Sequence, residues 1–389
     1  MDQSSAIGII GSGAMGAGIA QVAAEAGHRV LLYDSNPDAR ARADRNLRGV
    51  LDRLVTKGRR TRETADGILE RIEYVDNLLA LAPADLIIEA IVERLDVKQS
   101  VFEELSHAVS PDCVLATNTS SLSVTAIAAS AKTPSNVVGL HFFNPAPLMA
   151  LVEVVPAAQT REGLTEELTA LMKAWGKEPV IAQDTPGFIV NRVARPYYSE
   201  ALRIYDEGLA AAHDIDATME AIGFRMGPFT LMDFIGHDVN FRVTESMFHA
   251  YWGEPRYRPS FSQKRLLDAD FLGRKTGRGF YRYEEVEGKR GLQPIRPACQ
   301  LSPKQQNALL DRILAVLINE AYDALHYGVA SAEDIDRAML KGVNYPKGLL
   351  AWGRELGVQK VIDQLDALFA QYHEARYRVS AGLRLALHS

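Results

Sequence analysis

Through the first 185 residues, short apolar runs alternate with longer amphipathic stretches. Ala6 to Ile10 is apolar throughout, as a strand buried on both faces must be. The glycine-rich turn Gly11-Ser12-Gly13-Ala14-Met15-Gly16 follows it, and alanine-rich Ala14 to Ala26 predicts a helix that Gly27 ends. Arg29 to Tyr33 is the next strand, with Asp34 at its tip. Further strands are predicted at Ile72 to Val75, Leu86 to Ala90, Val114 to Ala116, Val137 to Leu140, Leu151 to Val155 and Pro179 to Ile181. Helices are predicted at Pro37 to Thr56, Arg94 to Val109 and Glu162 to Ala174. Such alternation builds a doubly wound α/β sheet, assigned to residues 1–185.

Beyond Asp184-Thr185-Pro186-Gly187 the period becomes helical: Phe188 to Glu207, Asp214 to Ile222, Phe229 to Gly236 and a long stretch from Val239. The change of period makes residues 186–283 a second, all-α domain, closed by the turn-rich Gly273 to Tyr281. Glu284 to Pro303, polar and with three prolines, reads as a linker, assigned to 284–300. Residues 301–389 then repeat the helical domain. A shift of 120 superposes Arg192 on Arg312, Glu200 on Glu320, Gly208 on Gly328, Asp214-Ile215-Asp216 on Asp334-Ile335-Asp336 and Met219 on Met339. One extra residue brings Gly227 onto Gly348. The expected fold is thus a doubly wound α/β domain followed by two all-α helical domains related by internal duplication. The copy is degenerate: Asp311 stands where the first has Asn191, and it reads as non-catalytic.

The first βαβ unit carries Gly11-x-Gly13-x-x-Gly16 in its turn and an acid 18 residues beyond the third glycine. Gly11 suits the tight turn, Gly13 lets a pyrophosphate approach the backbone, and Gly16 lets helix and strand pack closely. The helix N-terminus supplies amide donors for phosphate oxygens. Asp34 can accept both ribose hydroxyls, whereas a 2′-phosphate there would meet a like charge, so NAD is expected rather than NADP. Glu93 and Asn118-Thr119-Ser120-Ser121 fall at the carboxyl edge of the sheet, where the nicotinamide should lie. His141 comes at the end of a strand, and Glu153, twelve residues on, reaches the neighbouring strand if the Pro145 to Pro147 loop reverses the chain. The pair reads as a general base with a carboxylate that orients the ring.

At 389 residues and a net charge of -6, the chain is long enough for several cores and is no obvious binder of nucleic acid or acidic membrane. Basic clusters at Lys57 to Arg62 and Arg274 to Arg282 are solvated faces or contacts to a phosphorylated ligand. Cys113 and Cys299 lack metal spacing, so no metal site is expected. No membrane-spanning run or secretory leader is apparent, and a cytoplasmic location is expected.

Residues 1 to about 283 resemble the L-3-hydroxyacyl-CoA dehydrogenase family through GSGAMGAGIAQ (11–21), EAIVERLDVK (89–98), NTSSL (118–122), HFFNP (141–145), DTPGFIVNR (184–192) and GRKTGRGFY (273–281). The resemblance implies a Rossmann-type domain and NAD-linked interconversion of 3-hydroxyacyl-CoA and 3-oxoacyl-CoA. It implies His141 as the base, Glu153 as its partner, and Ser120 and Asn191 on the substrate oxygen. It also implies Asp34 on the adenosine ribose, Glu93, Lys98 and Ser120 on the nicotinamide ribose side, and Asn144 and Lys275 at the cofactor. Lys57 matches a family lysine that meets CoA; seven positions before it, where some members carry a CoA-contacting serine, this chain has Val50.

Two other readings stay open at this point: a dehydrogenase of a free hydroxy acid or sugar acid on the same scaffold, and a non-catalytic NAD-binding structural or sensor protein. Single-copy members resemble dimers paired through their helical domains. The second copy is therefore expected to act as a built-in partner, giving a monomer with an internal pseudo-dimer; a homo-oligomer is the alternative.

Overall fold

The computed structural model describes residues 4–286, 289–295, 297–299 and 301–387. The chain divides into two compact units, Met1–Phe188 and Ile189–Ser389.

The first unit is an α/β sandwich. Its strands are β1 (Ile7–Ile10), β2 (Val30–Tyr33), β3 (Ile72–Val75), β4 (Leu86–Glu89), β5 (Val114–Thr117), β6 (Val137–Phe142), β7 (Leu151–Pro156) and β8 (Glu178–Ile181). They lie in the order β3-β2-β1-β4-β5-β6-β7-β8. Every neighbouring pair is parallel except β6 and β7, which are antiparallel. Helices α1 (Ala14–Glu25), α2 (Pro37–Thr56), α3 (Arg62–Glu70), α4 (Leu95–Ala108), α5 (Val124–Ala128) and α6 (Leu164–Ala174) cover the sheet. The central strands β1, β4 and β5 are buried at every position, which is why, apart from Gly8, Glu89 and Thr117, they are written in Val, Ile, Leu and Ala. Helix α3 was not expected. It is short, but Thr61 caps it by accepting from the Thr64 amide at 3.1 Å.

The second unit is helical: α7 (Val190–Val193), α8 (Arg195–Asp206), α9 (Ala212–Ala221), α10 (Pro228–Ile235), α11 (His237–Ala250) and α12 (Phe261–Asp268), then α13 (Pro303–His326), α14 (Ala332–Gly342), α15 (Leu349–Leu356), α16 (Val358–Tyr372) and α17 (Ala381–Leu385). The single helix expected from Phe188 to Glu207 is two, joined at Ala194. Pro196 has no amide to donate to residue 192 and its ring crowds that carbonyl, so the helix restarts there.

A second correction concerns the linker. Tyr281–Val286 (β9) and Lys289–Pro294 (β10) form an antiparallel ribbon, with Tyr281 opposite Pro294 and Val286 opposite Lys289. The alternation of Tyr281-Arg282-Tyr283-Glu284 is the period of a strand, which the charge and prolines obscured; Pro294 ends the pairing, as it must without an amide. Residues 287, 288, 296 and 300 of the expected linker lie outside the described residues.

The duplication is visible as reciprocity. Arg192 Nε lies 2.8 Å from Glu320 Oε1, and its repeat mate Arg312 lies 2.6 Å from Glu200, the mate of Glu320. Tyr257 donates to Glu320 at 2.6 Å and Tyr377 donates to Glu200 at 2.6 Å. Residue i of one copy meeting j of the other, while j's mate meets i's mate, is the signature of a two-fold interface. Here both halves belong to one chain.

Candidate active site

The first unit brings two groups of expected residues together, at neighbouring strand ends. The register of β6 and β7 sets His141 directly opposite Glu153. His141 therefore lies within the strand rather than after it, because β6 runs two residues further than expected. His141 Nδ1 is 2.6 Å from Glu153 Oε2, with the histidine 6% and the glutamate 0% exposed. A carboxylate can only accept, so Nδ1 donates and Nε2 of the neutral ring is left as the acceptor for a substrate proton. Phe143 and Phe188 flank the imidazole, with ring centroids 4.5 and 5.9 Å away, and they reduce its contact with water. Asn118 Oδ1 accepts from the Phe142 amide at 2.8 Å, tying the end of β6 to the loop after β5. Buried Lys177 donates to the Ala146 and Met149 carbonyls, at 2.5 and 2.9 Å, and so holds the loop between β6 and β7 closed.

The second group is centred on Glu93. Its Oε1 accepts from the Thr119 hydroxyl at 2.6 Å and from the Ser120 and Ser121 amides at 2.9 and 3.2 Å, while Oε2 lies 3.3 Å from Lys98. Partial burial works against the charge of Glu93, but the Lys98 ammonium, followed by the Thr119 and Ser120 donors, outweighs it and holds the carboxyl below its ordinary range. Lys98 was expected on the nicotinamide ribose side. It is 1% exposed, and its Nζ sits 2.6 Å from fully buried Glu89. Its position lets it set the place of Glu93. Glu89 also accepts from the Thr117 hydroxyl and the Ile91 amide, each at 2.7 Å. Glu89 and Lys177 were missed by the sequence reading. An acid ending the apolar run from Leu86, nine residues before a lysine, was the available signal for the first.

The cofactor cleft lies at the other strand ends. Gly11 has φ 97°, and a Cβ on Gly16 would stand 1.8 Å from the Gly11 carbonyl oxygen, so the turn and the close packing both need glycine. A Cβ on Gly13 would meet nothing within 4 Å: that face is open for a ligand to approach. No side chain caps α1 and its first turn holds no acid, which leaves the amides of Ala14, Met15 and Gly16 for an anion. Asp34 accepts from the Ser12 amide and hydroxyl at 2.8 and 2.9 Å, facing a cleft of about 590 Å³ lined by Gly11, Gly13, Leu78, Ile91, Val97 and Val101. Burial opposes its charge, but the Ser12 and Asn36 amides keep the carboxyl below its usual value. These residues fit an adenosine ribose and pyrophosphate. Arg40, six residues on from Asp34, is committed to the Asp34 main-chain oxygen and to Asp76.

A family model for the 3-hydroxyacyl-CoA dehydrogenase NAD binding domain matches residues 6–185. The model for the C-terminal domain of 3-hydroxyacyl-CoA dehydrogenase matches residues 187–283 and again 309–387. This chain belongs to the 3-hydroxyacyl-CoA dehydrogenase family. It is 43% identical to the 3-hydroxyadipyl-CoA dehydrogenase of Escherichia coli (strain K12), over 97% of this chain and 96% of that one. It is 39% identical to the mitochondrial hydroxyacyl-coenzyme A dehydrogenase of Homo sapiens, over 71% of this chain and 90% of the human one. A crystal structure of 3-hydroxybutyryl-CoA dehydrogenase from Escherichia coli K12 superposes with a TM-score of 0.89, at 41% identity and 98% coverage of both chains. The Rossmann-type fold, the duplicated helical region and the NAD cofactor are thereby established.

The remaining expected positions are scattered. Asn144 is exposed on the loop after β6, and Lys57 is exposed at the C-terminal end of α2. Next to Lys57, Arg60 pairs with Glu25 and Arg62 with Asp52, so part of that basic cluster is already neutralised. In the helical unit, Asn191 lies on α7 and accepts from Arg195 at 3.5 Å, while Lys275 pairs with Asp238 at 2.5 Å. Among the described residues no cluster suited to a metal ion occurs, and no helix is long and apolar enough to cross a membrane.

Proposed function

We propose that the chain oxidises (S)-3-hydroxyacyl-CoA to 3-oxoacyl-CoA with NAD, reversibly, and that His141 is its acid and base. The observation carrying this reading is the 2.6 Å contact that fixes the His141 ring through Glu153 inside a strand pair. NAD, when bound, accepts the hydride that leaves C3. His141 Nε2 takes the hydroxyl proton, and Glu153 stabilises the imidazolium that results. Ser120 and Asn191, by their positions in the family motifs, are assigned to the C3 oxygen, where donors are needed as its charge changes. Glu93, held by Lys98 and the Thr119 loop, orients the nicotinamide ribose. Asp34 and the Gly11 to Gly16 turn receive the adenosine and pyrophosphate, with Asn144 and Lys275 as further cofactor contacts and Lys57 as a CoA contact. The reading also takes the protein to be cytoplasmic and monomeric, its helical copies satisfying one another.

His141→Gln should leave NAD affinity nearly intact and lower kcat by about 10² to 10⁴. Near-normal turnover would remove His141 from the chemistry. Activity on a free hydroxy acid but not on its CoA thioester would replace the substrate assignment.

A further inference from the structure

Buried guanidinium groups in the helical unit follow one rule with one exception. Arg192 and Arg312 meet a carboxylate oxygen at 2.8 and 2.6 Å, and Arg376 lies 3.4 Å from Glu374. Arg195 is as deeply placed, at 3% exposure, yet among the described residues no carboxylate pairs with it. Its contacts are two neutral oxygens, Thr244 Oγ1 at 3.2 Å and Asn191 Oδ1 at 3.5 Å, and the face of Tyr198, 5.2 Å away. Its Nε has no hydrogen-bond partner. Neither has the hydroxyl of Tyr345, a buried phenol from the second copy close enough to feel the Arg195 charge. Burying a cation without a counter-ion is strongly unfavourable. An unspent donor on Arg195 and an unbalanced positive charge therefore lie beside Asn191.

The repeat separates Arg195 from the arginines kept in both copies. Arg192 and Arg312 occupy equivalent positions and both serve the framework, whereas the position equivalent to Arg195 is Ala315. Arg203 too is confined to the first copy, but it faces the Glu200 carboxylate at 3.8 Å, whereas Arg195 faces none among the described residues. Arg195 occurs only in the copy that has Asn191.

Resting on the reading that Asn191 holds the substrate's C3 oxygen, we propose that Arg195 receives a carboxylate at the far end of the acyl group, making a dicarboxylic 3-hydroxyacyl-CoA the preferred substrate. The length is right for a six-carbon diacid. Its terminal carboxylate lies three carbons beyond C3, about 4 Å along an extended chain at roughly 1.5 Å per bond. A guanidinium 3.5 Å from the Asn191 amide is within that reach, and its planar fork suits a carboxylate. Tyr345 would add a neutral donor.

The test compares kcat/KM for 3-hydroxyadipyl-CoA and 3-hydroxyhexanoyl-CoA, which share a chain length and differ in the terminal carboxylate. The full-length wild type should favour the diacid by at least about tenfold, and Arg195→Met should reduce that ratio by about 10². Arg195→Lys, which keeps the charge and loses the fork, should keep part of the preference. A wild-type ratio near one overturns the assignment of Arg195 while leaving the dehydrogenase reading intact; turnover of neither thioester removes both. Should Arg195→Met not fold, the wild-type ratio and Arg195→Lys decide. An unchanged ratio in a variant that merely melts lower identifies a structural cation and overturns the proposal.

Discussion

The two helical copies share a framework and differ at the positions proposed to meet the substrate. Arginine 192 or 312, glutamate 200 or 320 and tyrosine 257 or 377 are kept in both, and each set closes on the other copy. Asn191 and Arg195 belong to the first copy, with Asp311 and Ala315 in their places. What is held in common is therefore what makes the halves fit. The match is not complete even there. Arg192 and Arg256 share a second carboxylate, Asp323, at 3.0 and 3.1 Å, but its equivalent on α8 is Arg203. On that side the second carboxylate is Glu207, one helical turn later, 2.8 Å from Arg312. Duplicated halves inside one chain can drift in this way, because each position is encoded separately.

The largest expected effect tests the shared framework. Glu320→Ala leaves Arg192, Arg256 and the Tyr257 hydroxyl without their common acceptor, and should cost about 3 to 5 kcal/mol, the usual result of breaking a buried pair from one side. Glu200→Ala should cost about as much. Denaturant unfolding checks both, and a large loss in one with none in the other would show that the reciprocity is not energetic.

The same pairs predict an acid limit. Burial opposes the charges of Glu200 and Glu320, but Arg312 holds the first, and Arg256 with Arg192 the second, below the ordinary carboxylate range. A carboxyl with a depressed folded value contributes fully above its unfolded value of about 4.3 and loses that contribution as pH falls through the folded one. Stability should thus fall steeply below about pH 4.3. Glu320→Gln should make that slope shallower, read as fewer protons taken up on unfolding. An unaltered slope would place the acid sensitivity elsewhere.

Legibility followed the range of each interaction. The glycine turn and Asp34 could be read because the whole device lies within one βαβ unit, and the His141–Glu153 pair because a short reversal joins its strands. The reciprocity of the copies was foreshadowed by a 120-residue repeat. The burial of Lys98 was not legible, since it depends on Glu89 reaching across from the end of β4. The β9–β10 ribbon was hidden because its residues are charged and proline-flanked, and the period of two was overruled by composition. Arg195 looked like any helix-surface arginine; only the surrounding packing shows that it has lost its water.

A smaller effect concerns a second shared device. Asp216 accepts from the Phe229 and Thr230 amides, both at 2.8 Å, and Asp336 accepts from those of Leu350 and Ala351, at 2.8 and 3.0 Å. Each aspartate caps the helix that follows, and the glycine before that helix makes room. A Cβ on Gly227 would stand 2.3 Å from Asp216 Cα, and one on Gly348 2.4 Å from Asp336 Cγ. Gly227→Ala and Gly348→Ala should each cost about 1 to 3 kcal/mol, as overpacking does. A melting temperature unchanged in either variant would mean that helix moves away freely.

The smallest effect tests whether the second copy lacks only one group. Asp311 occupies the position of Asn191, and it is half-buried in the third turn of α13. If an amide there were all the copy needed, Asp311→Asn would restore substrate contact. Nothing like the His141 strand pair precedes the copy in sequence, so a single amide has no chemistry to join. We expect kcat and KM to change by less than about twofold, and stability by no more than about 0.5 kcal/mol, as for a partly exposed position outside the packed core. Steady-state kinetics beside equilibrium binding of the 3-oxoacyl-CoA product checks this. A second equivalent of product bound, or a tenfold rise in rate, would show that the copy retains a site and that the two halves differ less than their side chains suggest.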